Sequence, residues 1–323
     1  MKADGGKVED EQVGKEEKKT SFIPHPSSFV SKRVVTGLVL LALVLVVLFV
    51  PNPLPLALLV WLLGMVGLWE YMSLMEPNRT NRGQVLNLGV DEAPEEPMAR
   101  SGPNSRPDPI RLATSFLTFT LLILGCYLGN MLLVLGSLFL PFACFARDLF
   151  MFGRDPGEWP QRRSIMGLFV TGPLYLGLGL GLAVFYKVEG ELWPLIFVAA
   201  CVWAGDTAAY YVGKALGRRP LHPLSPKKTW EGTLAGLVVG ALAAMVVALL
   251  GKIYPWWLAF LVGLVVNALG QLGDLLESFL KRVAGVKDSG TIFPGHGGVL
   301  DRIDSLLLAL PAYALLSALI SLF

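Results

Sequence analysis

The segment Gly273–Ser305, GDLLESFLKRVAGVKDSGTIFPGHGGVLDRIDS, holds five carboxylates (Asp274, Glu277, Asp288, Asp301, Asp304), four cations (Lys281, Arg282, Lys287, Arg302) and a His-Gly-Gly turn. Apolar runs overlap both of its ends, 255–280 before it and 303–322 after it. Such runs, nearly free of charge, cross a bilayer as helices, because a helix satisfies its own backbone there. A dense polar cluster between two spans therefore belongs at the membrane surface, where it can bind divalent metal and polyphosphate. The rest of the chain is read outward from that placement.

The 323 residues are 54% hydrophobic and only 16% charged, against about 25% charged in soluble domains. The chain reads as an all-α, polytopic, integral membrane protein. A net charge of +2 gives no bulk basic character and no argument for a nucleic-acid partner. Cys126, Cys144 and Cys201 lie inside apolar runs without metal-ligand spacing, so they read as small buried residues.

Apolar runs fall at about 34–50, 54–75, 110–128, 131–147, 164–186, 193–213, 232–251, 255–280 and 303–322, which makes about nine transmembrane helices. With the N-terminus cytoplasmic, 25 of the 27 Lys and Arg residues fall on the cytoplasmic side, and only Lys187 and Lys252 on the other. That asymmetry follows the positive-inside rule and puts the C-terminus on the opposite side of the cytoplasmic (inner) membrane. Residues 1–33 form a disordered tail, 34–199 a set of N-terminal spans interrupted by a flexible loop at 76–109, and 200–323 the catalytic region. The pairs Gly177/Gly181 and Gly236/Gly240 have the spacing that lets helices approach, although 35 glycines produce such spacings by chance.

Within the polar segment, Asp274, Glu277, Ser278 and Lys281 share one helix face. Asp274 stands ~10 Å above Lys281 at ~1.5 Å per residue. A carboxylate at that depth costs ~2.5–3.5 kcal/mol unless it meets a partner or a wet cavity. An ion pair to Lys281 or Arg282 is the packing alternative to a metal role. Asp301 and Asp304 repeat the i, i+3 pattern at the start of the last helix, where capping accounts readily for one of them. The glycines of Pro294-Gly295-His296-Gly297-Gly298 allow backbone N–H groups to close around phosphate oxygens, with a simple turn as the alternative. Upstream, Asp206 shares a face with Tyr210 at a similar depth to Asp274, and the loop after it carries Ser225-Pro226-Lys227-Lys228-Thr229 and Glu231. Glu70, beside Trp69 and Tyr71, reads as interfacial; His25 and His222 read as loop residues. Carboxylates without His or Cys clusters favour Mg²⁺ over zinc, and Mg²⁺ is bound with substrate phosphates. No Walker A motif is present, and a site at the bilayer surface implies a lipid as second substrate.

The run Ser278-x2-Lys281-Arg282-x4-Lys287-Asp288-x-Gly290-x2-Phe293-Pro294-x-His296-Gly297-Gly298-x2-Asp301-Arg302-x-Asp304 resembles the signature of phosphatidate cytidylyltransferases, the CDP-diacylglycerol synthases. The blocks GDTAAYYVGK and SPKKTWEG resemble that family's upstream motifs, so the resemblance covers about 200–305. It implies the reaction of CTP with phosphatidate to give CDP-diacylglycerol and pyrophosphate, with Mg²⁺ and a potassium ion as cofactors and a homodimer as compatible assembly. Carried onto this chain, the implied metal ligands are Asp274 and Asp301, then Asp206 and Asp304. Ser278 and Lys281 join Asp274 and Asp301 as implied catalytic residues. Lys227, Lys228, Arg282, Lys287, His296, Gly297, Gly298 and Arg302 are implied to bind substrate.

A CTP-dependent polyprenol kinase would use the same nucleotide and metal but move the γ-phosphate. An ion-coupled transporter is a more distant alternative, since it expects acids near the midplane of both halves.

Overall fold

The structure is a computed structural model that describes residues 39, 42–75, 109–150, 159–222, 225–284, 286–290, 292 and 297–322. The expected tail, the 76–108 part of the expected loop, His25 and His296 lie outside the described residues. A helix at 42–49 (α1) is followed by α2 (Leu54–Met75), α3 (Pro109–Leu128), α4 (Met131–Phe150), α5 (Trp159–Val188) and α6 (Leu192–Leu216). Then come strands β1 (Pro220–His222) and β2 (Ser225–Thr229), and helices α7 (Trp230–Gly251), α8 (Trp256–Val283) and α9 (Leu300–Ile320). Six helices, α2 and α5–α9, contain stretches long and apolar enough to cross a membrane, and shorter apolar helices lie at Leu112–Leu128 and Met131–Pro141. The protein is thus helical and multi-pass.

One segment departs from the all-α expectation. The 214–231 loop folds back as an antiparallel hairpin, with Pro220 opposite Thr229 and His222 opposite Ser225, so His222 belongs to a strand. The hairpin is short and sits outside the apolar spans, where hydropathy carries no signal for it. Its end is fixed by Thr229, whose extended backbone and side-chain oxygen cap α7 by accepting from the Gly232 N–H at 3.2 Å. Glu231 accepts from the Arg218 N–H at 3.1 Å and ties the strand entry to the helix start.

Helix α5 joins the two halves. On one side a Cβ at Gly177 or Gly181 would meet Leu122 of α3; on the other, a Cβ at Gly179 would meet the Leu307 backbone of α9. The core follows these contacts, with Leu68, Phe119, Leu176, Leu307 and Tyr313 all shielded from solvent. Helices α6 and α7 approach just as closely: a Cβ at Gly236 would fall 2.8 Å from the Gly205 carbonyl oxygen. Both small-residue spacings read from the sequence are therefore real contact faces. Between α6, α7 and α8 runs a polar ladder that hydropathy concealed. Asn267 Nδ2 donates to the Cys201 carbonyl at 2.8 Å, and Gln271 Nε2 donates to Asn267 Oδ1 at 2.8 Å and to the Thr233 carbonyl at 3.3 Å. Bilayer burial makes such amides costly unless every polar atom finds a partner; here they bond helix to helix. Cys201 is buried, its thiol donating to the Gly263 carbonyl at 3.3 Å.

Candidate active site

The polar ladder leads to a cleft of about 820 Å³ where α6 and α8 end and where α7 and α9 begin. Its walls carry five carboxylates (Asp206, Asp274, Asp288, Asp301, Asp304) and five cations (Lys214, Lys227, Lys228, Lys281, Arg302). The sequence segment that stood out as anomalous, the GDTAAYYVGK helix and the SPKKT strand thus meet in one place. The two signs are equal in number among its lining residues.

Four of these ten charges stand in two ion pairs with one another. Asp274 accepts from Lys228 at 2.5 Å, both side chains 29% exposed. This replaces the alternative pairing with Lys281 or Arg282 and comes from a strand 46 residues earlier. Lys281 stands between two acids: it donates to Asp301 Oδ1 at 2.5 Å and forms an ion pair with Glu277, whose side chain is completely buried. The Glu277 oxygens meet no backbone or hydroxyl donor among the described residues; their polar neighbours are the Lys281 ammonium and the Asp301 carboxyl. Lys281 therefore holds acids in place as well as lining the cleft. Asp206 opens into the cleft, and Asp304 takes the Ser305 N–H at 2.7 Å; neither has an ion-pair partner among the described residues. Asp206, Asp274 and Asp304 lie close enough to feel one another's charge.

Asp301 is the most constrained acid. Its Oδ2 accepts from the Ser289 N–H at 2.9 Å, the Ser289 hydroxyl at 2.8 Å and the Gly298 N–H at 2.8 Å. Gly298 thus gives its N–H to the protein's own carboxylate instead of leaving it for a phosphate, and Gly297 adopts φ +79°, a left-handed turn suited to glycine. Neither glycine lines the cleft, nor do Ser278, Arg282 and Lys287. Arg282 turns toward the Val286 carbonyl at 3.4 Å, and Lys287 is exposed.

Glu70 has partners that the interfacial reading did not include. It is buried, 4% exposed, and its carboxylate sits on the α9 N-terminus. The interfacial reading rested on its aromatic neighbours in sequence; its partners lie more than 200 positions away, beyond any local pattern. Tyr175 of α5 was also missed. Its hydroxyl is buried without a hydrogen-bond partner among the described residues, within range of the Asp304 and Glu277 charges.

The donor set fits a hard divalent ion: carboxylate oxygens with spare lone pairs at Asp206, Asp274 and Asp304, and no Cys or His among the cleft-lining residues. Among the described residues no three His, Cys, Asp or Glu side chains close on one point. A hard ion such as Mg²⁺ would therefore need substrate phosphates and water to complete its shell.

Fold and cleft together define a multi-pass membrane enzyme with a charge-balanced site at one end of its helices. The chain belongs to the Cytidylyltransferase family, whose model matches residues 31–320. Similar proteins named phosphatidate cytidylyltransferase include one from Staphylococcus epidermidis, 36% identical over 195 residues, covering 52% of this chain and 75% of the relative. One from Bacillus subtilis is 40% identical over 160 residues (48% and 60% covered), and one from Synechocystis is 43% identical over 177 residues (50% and 57% covered). The chain is accordingly a nucleotidyltransferase of the phosphatidate cytidylyltransferase family.

Proposed function

We propose that this protein joins CTP to phosphatidate, giving CDP-diacylglycerol and pyrophosphate, at the cytoplasmic face of a cell's inner membrane. The observation that carries the reading is the cleft itself. It gathers Asp206, Asp274, Asp301 and Asp304 with Lys227, Lys228 and Lys281 where four membrane helices end or begin, in a chain whose relatives bear that enzyme's name. A phosphatidate phosphate is anionic at neutral pH, so no strong general base is needed for it to attack the α-phosphorus of CTP. Bond formation to that phosphorus accompanies loss of pyrophosphate.

Asp274, with Asp206 and Asp304 beside it and Asp301 as a further ligand through the Oδ1 that Lys281 engages, would hold Mg²⁺, whose chemistry when bound would be neutralisation of phosphate charge. The protein's own part is positioning. The Lys228–Asp274 pair is a resting arrangement that two incoming charges could exchange: Lys228 would turn to a phosphate oxygen, leaving Asp274 free to hold a cation. Charge is conserved in the swap, so neither side chain is left bare in a partly buried site. Lys227, exposed on the same strand, and Arg302, at the other wall, reach remaining phosphate oxygens. Lys281 keeps Asp301 and Glu277 fixed, and Asp301, held by three further hydrogen bonds, offers a carboxylate that does not reorganise.

The test uses the full chain in detergent with labelled CTP, phosphatidate and Mg²⁺, with K⁺ present or omitted to read the second ion. CDP-diacylglycerol and pyrophosphate are expected; release of CDP would show γ-phosphate transfer and overturn the assignment in favour of a lipid kinase. Asp274→Asn and Asp301→Asn should each abolish product in protein that still elutes as a single folded species. Retained activity in both would sink the metal assignment.

A further inference from the structure

We propose that Glu70, on a helix far from the cleft in sequence, is a positioning residue for Asp301, acting through Ser289 and the first turn of α9. The inference rests on the reading of Asp301 as a metal-binding carboxylate. Glu70 Oε1 accepts the Val299 N–H at 3.1 Å; Oε2 accepts the Leu300 N–H at 2.9 Å and lies 3.1 Å from the Ser289 hydroxyl oxygen. The same Ser289 hydroxyl lies 2.8 Å from Asp301 Oδ2, and the Ser289 N–H donates to that oxygen at 2.9 Å. Ser289 has one hydroxyl proton for two carboxylates, so their positions are coupled through it.

The surroundings are built for this carboxylate. A Cβ at Gly290 or Gly298 would collide with the Glu70 side chain, so both glycines make its seat. A helix N-terminus offers unsatisfied N–H groups to an anion, and here the anion is internal. A packing role alone would not require a charge: burying a carboxylate is expensive, and an apolar side chain would fill the space more cheaply. What the charge adds is a fixed height and rotation for α9's first turn, where Asp301 stands. Carboxylates that bind metal are commonly oriented by such outer partners, and losing one costs roughly 10–100-fold in metal affinity or activity.

The experiment compares wild type, Glu70→Gln, Glu70→Ala, Ser289→Ala and the Glu70→Gln/Ser289→Ala double variant, all as full chains in detergent. Two readouts are taken: steady-state kinetics over a Mg²⁺ titration, and amide exchange by mass spectrometry across residues 286–302. For Glu70→Gln, kcat should fall roughly 10–100-fold and the half-saturating Mg²⁺ concentration should rise, while KM for CTP moves less than about threefold. The Val299 and Leu300 amides should exchange roughly tenfold faster. The double variant should lose no more than about twofold beyond Glu70→Gln alone, because the two residues act in series. A general loss of stability would lower the folded fraction without shifting the Mg²⁺ dependence.

Wild-type exchange at 299 and 300 in Glu70→Ala, or an unchanged Mg²⁺ curve in Glu70→Gln, overturns the proposal; losses that multiply in the double variant overturn the route through Ser289. If Glu70→Ala does not fold, Glu70→Gln and Ser289→Ala decide. If wild type makes no CDP-diacylglycerol, the assigned reaction fails, and the exchange data still decide whether Glu70 holds the α9 start.

Discussion

Replacing Lys281 with methionine keeps the apolar stem of the side chain and deletes the ammonium that stands between Glu277 and Asp301. The consequence can be worked out from what each acid has left. Asp301 retains three hydrogen bonds, from Ser289 N–H, Ser289 Oγ–H and Gly298 N–H. Glu277 retains no backbone or hydroxyl donor among the described residues, only the Asp301 carboxyl beside it, and its side chain is 0% exposed. Removing one partner of a buried pair costs ~3–5 kcal/mol, because the other charge stays behind uncompensated. That is a large part of the ~5–15 kcal/mol that typically separates folded from unfolded protein. The Lys228–Asp274 pair makes the control: at 29% exposure on each side, water compensates the survivor and the loss should be about 0–1 kcal/mol. Both variants, measured by thermal unfolding in one detergent, should separate clearly. At ~2–4 °C per kcal/mol, Lys281→Met should lower Tm by roughly 6–20 °C and Lys228→Met by a few degrees at most. Adding Glu277→Gln to Lys281→Met removes the stranded charge and should recover much of the loss. A wild-type melting point for Lys281→Met, or a further drop on adding Glu277→Gln, would refute the reasoning.

Lys228→Met should raise KM for CTP several-fold while moving the melting temperature by a few degrees at most, as steady-state kinetics beside the same thermal scan will show. Gly205→Ala places a methyl group on the Asn267 amide and should destabilise by ~1–3 kcal/mol; Asn267→Ala should relieve the clash, so a double variant no better than Gly205→Ala would argue against it. Gly298→Ala drives a methyl into Ser289 and Glu70 and should abolish CDP-diacylglycerol formation even where the protein remains monodisperse by size exclusion. Stripping divalent metal with EDTA should stop turnover and added Mg²⁺ restore it, while activity unaffected by chelation would contradict the donor chemistry of the cleft.

What the sequence made legible was whatever obeys short periods or bulk composition. Apolar runs located α2 and α3 almost to the residue, since lipid exposure leaves a long uninterrupted signal. Charge spacing picked out Asp206, Asp274, Asp301 and Asp304, and the fold brings all four to one cleft. The Lys228–Asp274 pair stayed hidden because it joins a strand to a helix, and helical periodicity offered Asp274 only its neighbours Lys281 and Arg282. The Asn267–Gln271 ladder was invisible for a different reason: two amides in a long apolar run barely change its hydropathy, although they bind three helices together. The glycines of the His-Gly-Gly turn suggested N–H groups for a phosphate; Gly298 instead serves Asp301. Composition marks a place for an anion without saying whether that anion comes from a ligand or from the chain.

The distance along the chain between Glu70 and its seat bears on how the protein is made. Glu70 precedes Val299 by 229 residues, so it leaves the ribosome and enters the bilayer long before its partners exist. At ~5–20 residues per second, synthesis of the intervening chain takes roughly 10–45 s. Through that interval Glu70 lacks the partners that later enclose it and must snorkel to the headgroups or borrow a temporary partner. Arrival of α9 ends the wait. Biogenesis of this enzyme therefore has a natural final step, and a nascent chain halted before residue 299 should be a better substrate for membrane quality control than one halted shortly after it.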